Sequence, residues 1–360
     1  MMRFNFTGLT PDSLYLLYMR YNVKHLQIYL FFLCLPAFFS CKHSQRPDVS
    51  AVNVNIRVQR FDQDMLALRS KGPEGADAVL QQKYANFYTD YTQRIVGNGR
   101  YSGPQILSLL YNDQAYTDLN HDADSVFKTF SPIEQELTQT FKYIKYYYPK
   151  IKVPRFISFV SGFEVQTPIG DDYMGIGMDM FLGKDSRFYK AIVKNVPMYL
   201  SRRFTPEYIV PRLTETFVRE DMFPERDEDN TLLSKMIHNG QALYFMDQVL
   251  AENVPDSVKI GYTAKQLGWC QAYEDKIWAY LLENELLFNT DYQKIQVYLS
   301  EGPFTPGLGE KNHSAPKLGV WIGWQIVRKY MQENPKVTLQ ELMQDHDAEK
   351  ILRAAGYRPK

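Results

Sequence analysis

The feature that most restricts this chain is a short apolar block, residues 28–39 (IYLFFLCLPAFF), with Arg20 and Lys24 before it and Ser40 and Cys41 after it. About 12 residues cannot cross a bilayer as a helix, which takes roughly 20. Cations, a short apolar stretch, a small residue and a processing point are the order of a secretory signal peptide. A small residue directly before a cysteine also ends a bacterial lipobox, in which the cysteine thiol is acylated and becomes the new N-terminus, although Phe38 and Phe39 depart from its usual upstream residues. The expectation is therefore a signal peptide over residues 1–40, with translation starting at Met19, then lipidated Cys41 and a polar tether over residues 41–50. Several acyl chains on Cys41 anchor firmly, since each buried methylene contributes about 0.8 kcal/mol. Residues 51–360 are left to form the folded body, which is read as a single domain.

Charge narrows the partners. Lys+Arg and Asp+Glu both number 41, so the chain is neutral, which argues against nucleic acid held by a basic field. Charged residues are 23% and hydrophobic residues 45%, a globular and not a disordered composition. Beyond the signal segment only Cys41 and Cys270 remain, so no internal disulfide scaffold is available once Cys41 carries lipid.

Periodicity predicts an α+β body that is mostly helical. AVNVNIRVQRFD (51–62) alternates Val52, Val54, Ile56 and Val58 on one face, as a strand does. Helical spacing follows over 63–69 and 76–96. Ser131, Pro132 and Glu134 predict a capped helix start running to about Tyr148. PRFISFVSGFEV and YMGIGMDMFLG, with TPIGDD between them, predict two strands joined by a turn. From Thr205 the pattern is helical. Asn230 is the expected cap of a helix to about Glu252, Thr263 with Gln266 opens a long helix through Leu282, Thr338 with Glu341 caps another, and Gly356 stops the last. Residues 302–319 form the longest Pro/Gly-rich stretch, a length that in a packed region is often functional.

The usual catalytic constellations do not assemble by spacing. His43, His121, His238, His313 and His346 include no pair three or four residues apart, as a helical zinc motif requires. There is no G-x-S-x-G elbow. Cys270 reads as a small buried hydrophobe, and Gly175 and Gly177 as strand glycines, not a phosphate loop. Glu164, Asp179, Glu215 and Glu274 lie in apolar surroundings and read as satisfied buried acids, while Tyr143 and Tyr147 share a helical face that suits core packing.

Several segments together carry a resemblance: NIRVQRFD, GIGMDMFLGKDSRFY, MIHNGQALYFMD, GPFTPGLGEKNHSAPKLGVWIGWQIVRKYM and a closing Y-x-P-K. Over essentially all of the chain beyond the signal segment, these resemble GldB, the gliding-motility-associated lipoprotein family of Bacteroidetes. The resemblance implies gliding motility or its associated secretion machinery; with the anchor, the empty catalytic positions and the abundant aromatics, the expectation is a lipid-anchored envelope protein that works through protein partners, with no cofactor and no catalysis. KHSQRPD after the cysteine lacks an acidic cluster, which favours a periplasm-facing body. More distantly the layout resembles predicted zinc-dependent proteases, which implies a zincin-like, degenerate peptidase-like fold with a small sheet packed by helices. The sequence departs from those proteases where chemistry would occur. EYIVPRLTETFVRED has no histidine and contains Pro211, and Asn239 precedes Gly240 where a Glu-Gly is possible. Asp179, His238, Trp321 and Trp324, within the matching segments, are the candidate interaction or structural residues. The competing functions are a divergent hydrolase using unpaired acids or dispersed histidines, and a glycan-binding lipoprotein using the aromatics.

Overall fold

The computed structural model describes residues 46–360 except 193, 195, 227 and 310–313, so the signal segment, Cys41, His43 and His313 lie outside the described residues. Asp48 to Lys360 is one compact unit. Three short strands, β1 (Val58–Arg60), β2 (Arg155–Phe159) and β3 (Tyr173–Gly177), make a parallel sheet in the order β1-β2-β3. Val58 pairs with Phe156, and Arg155 with Tyr173. Every residue of β3 and four of five in β2 are buried, as in strands covered on both faces.

Parallel neighbours need a long return path. From β1 to β2 it runs chiefly through α1 (Phe61–Ala67), α2 (Gly72–Tyr84), α3 (Gly103–Asn112), α4 (Gln114–Val126) and α5 (Ser131–Tyr147). The helical run expected over 76–96 breaks at Ala85, whose φ is +46°. The path from β2 to β3 corrects the expected strand–turn–strand unit. The turn exists, but the chain it folds onto β3 is the loop after β2, not β2 itself. Gly175 N–H donates to Pro168 O at 2.8 Å, Gly177 N–H donates to Gln166 O at 2.9 Å, and Ile169 bridges Met174 antiparallel. A Cβ on Gly177 would stand 2.3 Å from Val165 O, so this close approach requires glycine there.

Glu134 corrects a second expectation. It does not close a capping box on Ser131, which is itself the first residue of α5. Glu134 instead accepts the Val58 N–H at 2.9 Å, and Thr138 Oγ1 accepts the Ile56 N–H at 3.0 Å. These side chains satisfy backbone donors beside β1, whose ladder continues on one side only.

The second half is helical: α6 (Ile209–Thr216), α7 (Leu232–Val249), α8 (Ala264–Ala272), α9 (Glu274–Glu283), α10 (Leu318–Glu333), α11 (Leu339–Gln344) and α12 (Ala348–Ala355). Capping boxes form at Thr263/Gln266 and Thr338/Glu341. Thr231, not Asn230, caps α7 by accepting the Ser234 N–H at 3.2 Å. The single helix expected through Leu282 is divided at Tyr273 into α8 and α9. Gly356, at φ +54°, ends α12.

α7 and α10 cross glycine on glycine. A Cβ added to Gly240 would lie 2.3 Å from Gly323 O, and one on Gly323 would lie 1.9 Å from Met236 O. The HNGQ and GVWIGW segments thus bring two backbones closer than side chains permit. Aromatic residues fill much of the core. Phe61 meets Tyr84 and Phe87 edge-on at 5.1 Å, and Phe87 meets Tyr173 at 5.1 Å, geometries favoured by the ring quadrupoles. No helix among the described residues is long and apolar enough to cross a membrane.

Candidate functional site

A half-enclosed cavity of about 410 Å³ opens between α6, α7 and the start of α10, within the size range of small-molecule sites. Its polar wall begins on α6. Arg212 and Glu215 are three residues apart, and Arg219 is four further on in the π-helical turn Phe217–Met222, so all three share one face. Pro211 is compatible with this helix because it stands in the first turn, where an N–H has no intrahelical acceptor. Glu215 accepts from Arg212 Nη1 and, at 3.0 Å, from Arg219 Nε. Arg219 also donates to Asn239 Oδ1 on α7 at 2.8 Å, and Arg212 Nε to Gln166 Oε1 at 3.3 Å.

A second triad completes the wall. Glu301 Oε1 accepts from Arg203 Nη1 at 3.0 Å and from Lys317 Nζ at 2.5 Å. The Arg203 and Lys317 side chains are only 11% and 10% exposed, which places both charges in the low-dielectric wall. Gly261 makes room for Arg203, because a Cβ there would sit 2.2 Å from Nη1. Lys317 is the N-cap of α10 with φ +43° and ψ +49°, a left-handed conformation uncommon for a residue with a side chain. It also places a cation at the positive end of a helix dipole, the unfavourable end. The remaining wall is apolar, with Met180, Leu200, Phe204, Leu243 and Ile260 among its residues.

Charge in the cavity is unbalanced: Arg203, Arg212, Arg219 and Lys317 face Glu215 and Glu301. Burial alone would raise the Glu215 carboxyl, but Arg212, Arg219, Lys317 and Arg203 overcome it and bring its pKa down to about 2. Glu301 is likewise pushed up by burial and brought below its ordinary value by Lys317 and Arg203. Burial lowers the Lys317 ammonium, opposed by Glu301 and Glu215. Among the described residues no imidazole, thiol or hydroxyl side chain lines the cavity, and no cluster of three His, Cys, Asp or Glu suited to a metal occurs.

None of Asp179, His238, Trp321 and Trp324 lines this cavity. Asp179 is fully buried behind β3, where it accepts the Phe163 N–H at 2.6 Å and the Ser161 hydroxyl at 3.1 Å. Burial raises its carboxyl, and these bonds oppose the rise. They hold the turn in which Gly162 and Phe163 both have positive φ. Trp321 is buried in α10, with its Nε1 unpaired among the described residues. Trp324 donates to Asp247 at 3.0 Å beneath the Arg328 guanidinium, which lies 3.8 Å from its ring centroid and bonds both Asp247 and Asp256. Cys270 is buried, and burial pushes its thiol up. Of the four acids read as buried, Asp179 is buried, Glu215 and Glu274 are half-buried, and Glu164 is exposed, against expectation; Glu215 alone faces the cavity, and it is ion-paired.

His238 sits half-buried in a separate cleft of about 80 Å³ with Glu225, Asp345 and His346. Burial first, then Arg219, His346 and Lys235 against Glu225, lower its pKa to about 4. The unfolded imidazole, near 6.5, then takes up protons before the folded one, so His238 contributes stability above about pH 6.5 that is lost as pH falls toward 4. At most this is about 3 kcal/mol. His238→Gln is expected to flatten the stability curve between pH 6.5 and 4 in urea titrations, and an unchanged slope refutes it.

Fold and cavity together define a mostly helical α+β protein, one compact unit with a cation-rich cavity at the meeting of three helices. A sequence family described as gliding motility protein GldB matches residues 42–359. The chain belongs to that family of lipoproteins, which associates it with gliding motility. No curated protein and no solved structure matches it.

Proposed function

We propose that the protein is a non-catalytic, lipid-anchored component of the cell envelope that serves the gliding machinery or its associated secretion apparatus by holding protein partners. One observation carries the non-catalytic part: the cavity's two carboxylates are each clamped by two cations. A carboxylate with a pKa of about 2 is a poor base and a poor acid near neutrality, where general acid–base work needs a group poised near the operating pH. The lack of imidazole, thiol and hydroxyl around them, among the described residues, supports the same conclusion. The resemblance to peptidase-like layouts puts Glu215, Arg219 and Asn239 in the segments that would carry metal ligands, and their bonding to one another supports a scaffold used without a metal. Cys41 is the anchor, and the body faces the periplasm.

Crosslinking mass spectrometry in the native envelope is expected to recover a reproducible protein partner. Recovery of bulk envelope proteins alone, or stoichiometric zinc with peptide hydrolysis in chelator-free preparations, would overturn the proposal. Cys41→Ala is expected to move the protein from the detergent phase to the aqueous phase or to block its processing. Unchanged partitioning and gel mobility would refute lipidation.

A further inference from the structure

The cation-rich cavity has chemistry that partner binding on the outer surface leaves unused. Three guanidiniums and one ammonium face two carboxylates, so the wall carries two positive charges that its own acids do not balance. The side chains of Arg203, Arg219 and Lys317 are each no more than a quarter exposed, which limits how far water and salt can screen them. The ion pairs hold the cations in place. Among the described residues Arg203 shows one bonded acceptor, Glu301, and Arg212 and Arg219 show two each, whereas a guanidinium carries five N–H donors. Donors therefore remain for a guest. Lys317 is also the N-cap of α10, so the positive end of a sixteen-residue helix lies at this wall. A left-handed Lys317 and a glycine at 261 are local features that keep these cations at the wall.

We propose that this cavity binds a small phosphate monoester, its dianionic head among Arg203, Arg212, Arg219 and Lys317 and its organic part against Leu200 and Phe204. A phosphate monoester matches the site in three respects. Its charge near neutrality approaches −2, the surplus in the wall. Its oxygens accept from planar guanidinium forks in two-point contacts. Its organic group has an apolar surface to cover, since Met180, Leu200, Phe204, Leu243 and Ile260 also line the cavity. At about 410 Å³ the cavity has the capacity of a small metabolite and not of a diacyl lipid.

Ligand binding in the cavity does not depend on partner binding at the surface. The test is calorimetric titration of the mature full-length protein in detergent with phenyl phosphate, inorganic phosphate and benzoate. The expected order is phenyl phosphate tightest, inorganic phosphate next, and benzoate at least about tenfold weaker than phenyl phosphate, because it keeps the ring but has one charge. Arg203→Met and Lys317→Met, compared where circular dichroism matches the parent, are each expected to weaken phenyl phosphate about tenfold or more. If neither variant folds, the ranking of the three probes on the parent protein decides. Absence of heat at millimolar phenyl phosphate, benzoate binding as tightly, or affinity unchanged in both folded variants would overturn the inference. So would capture by phosphatidic acid vesicles that phenyl phosphate does not compete away, since that places recognition on a lipid surface. Release of inorganic phosphate from phenyl phosphate would defeat the non-catalytic proposal while leaving this site standing.

Discussion

Gly323→Ala is expected to destabilise the folded body by about 3 kcal/mol, at the upper end of what overpacking a tight contact costs. The new methyl would stand 1.9 Å from the carbonyl oxygen of Met236, a backbone atom that moves only if α7 and α10 separate. Helix propensity acts in the other direction, since alanine is favoured over glycine in a helix interior by about 1 kcal/mol. The clash exceeds that gain because the obstacle is backbone on a buried helix pair. Gly268→Ala is the matched control. It lies within α8, and a Cβ added there would meet nothing within 4 Å, so propensity acts alone. It should stabilise by about 0.5–1 kcal/mol. Urea unfolding of the two variants checks both signs at once, and a neutral Gly323→Ala would mean that the helices slide apart at little cost.

Glu215→Gln is the second large effect, and its dependence on pH identifies its cause. The folded carboxyl titrates at about 2 against 4.5 in the unfolded chain. A depressed acid contributes stability that is complete above the unfolded value and disappears as pH falls toward the folded one. The full shift corresponds to about 3 kcal/mol. Arg212 and Arg219 are 33% and 24% exposed, and solvent screening brings the expectation to about 2 kcal/mol at pH 7. Stability curves of the parent and Glu215→Gln should therefore stand about 2 kcal/mol apart near neutrality and converge toward pH 2. A gap that stays constant across this range would assign the loss to packing, and no gap at all would show that Arg212 and Arg219 do not depend on Glu215.

What the sequence reveals follows the range of the interaction. The boxes at Thr263/Gln266 and Thr338/Glu341 are legible because donor and acceptor lie three residues apart, and the Arg202 guanidinium that also reaches Gln266 Oε1 adds to the first box without displacing it. The same pattern at Ser131/Glu134 misleads because Glu134 is taken by the distant Val58 N–H, and no local spacing reports that. The turn before β3 is visible in TPIGDD, but which chain it lays against β3 is a tertiary matter. The cavity divides in the same way. Arg212, Glu215 and Arg219 have helical spacing that marks a charged face. Arg203, Glu301 and Lys317 come from a loop, the end of a helical turn region and a helix start, and only the folded chain brings them together. The Pro/Gly-rich stretch over 302–319 does signal the region, since Glu301 precedes it and Lys317 lies within it. Gly240 and Gly323 are visible as motif residues, whereas their reason, backbone against backbone, emerges only in the packing.

The all-parallel sheet also sets an order of events as the polypeptide is made. Ser158 bonds back to the Gln59 carbonyl across 99 residues, so β1 is synthesised long before its one neighbour in the ladder. The Ile56 and Val58 donors find Thr138 and Glu134 once α5 exists, whereas the edge of β1 that faces β2 stays open until residue 155 and beyond are present. A nascent fragment that stops short of residue 155 therefore presents an open edge that invites pairing with another chain. For a chain exported behind a signal peptide, partly translocated segments of that length are the ones a holdase has most reason to shield.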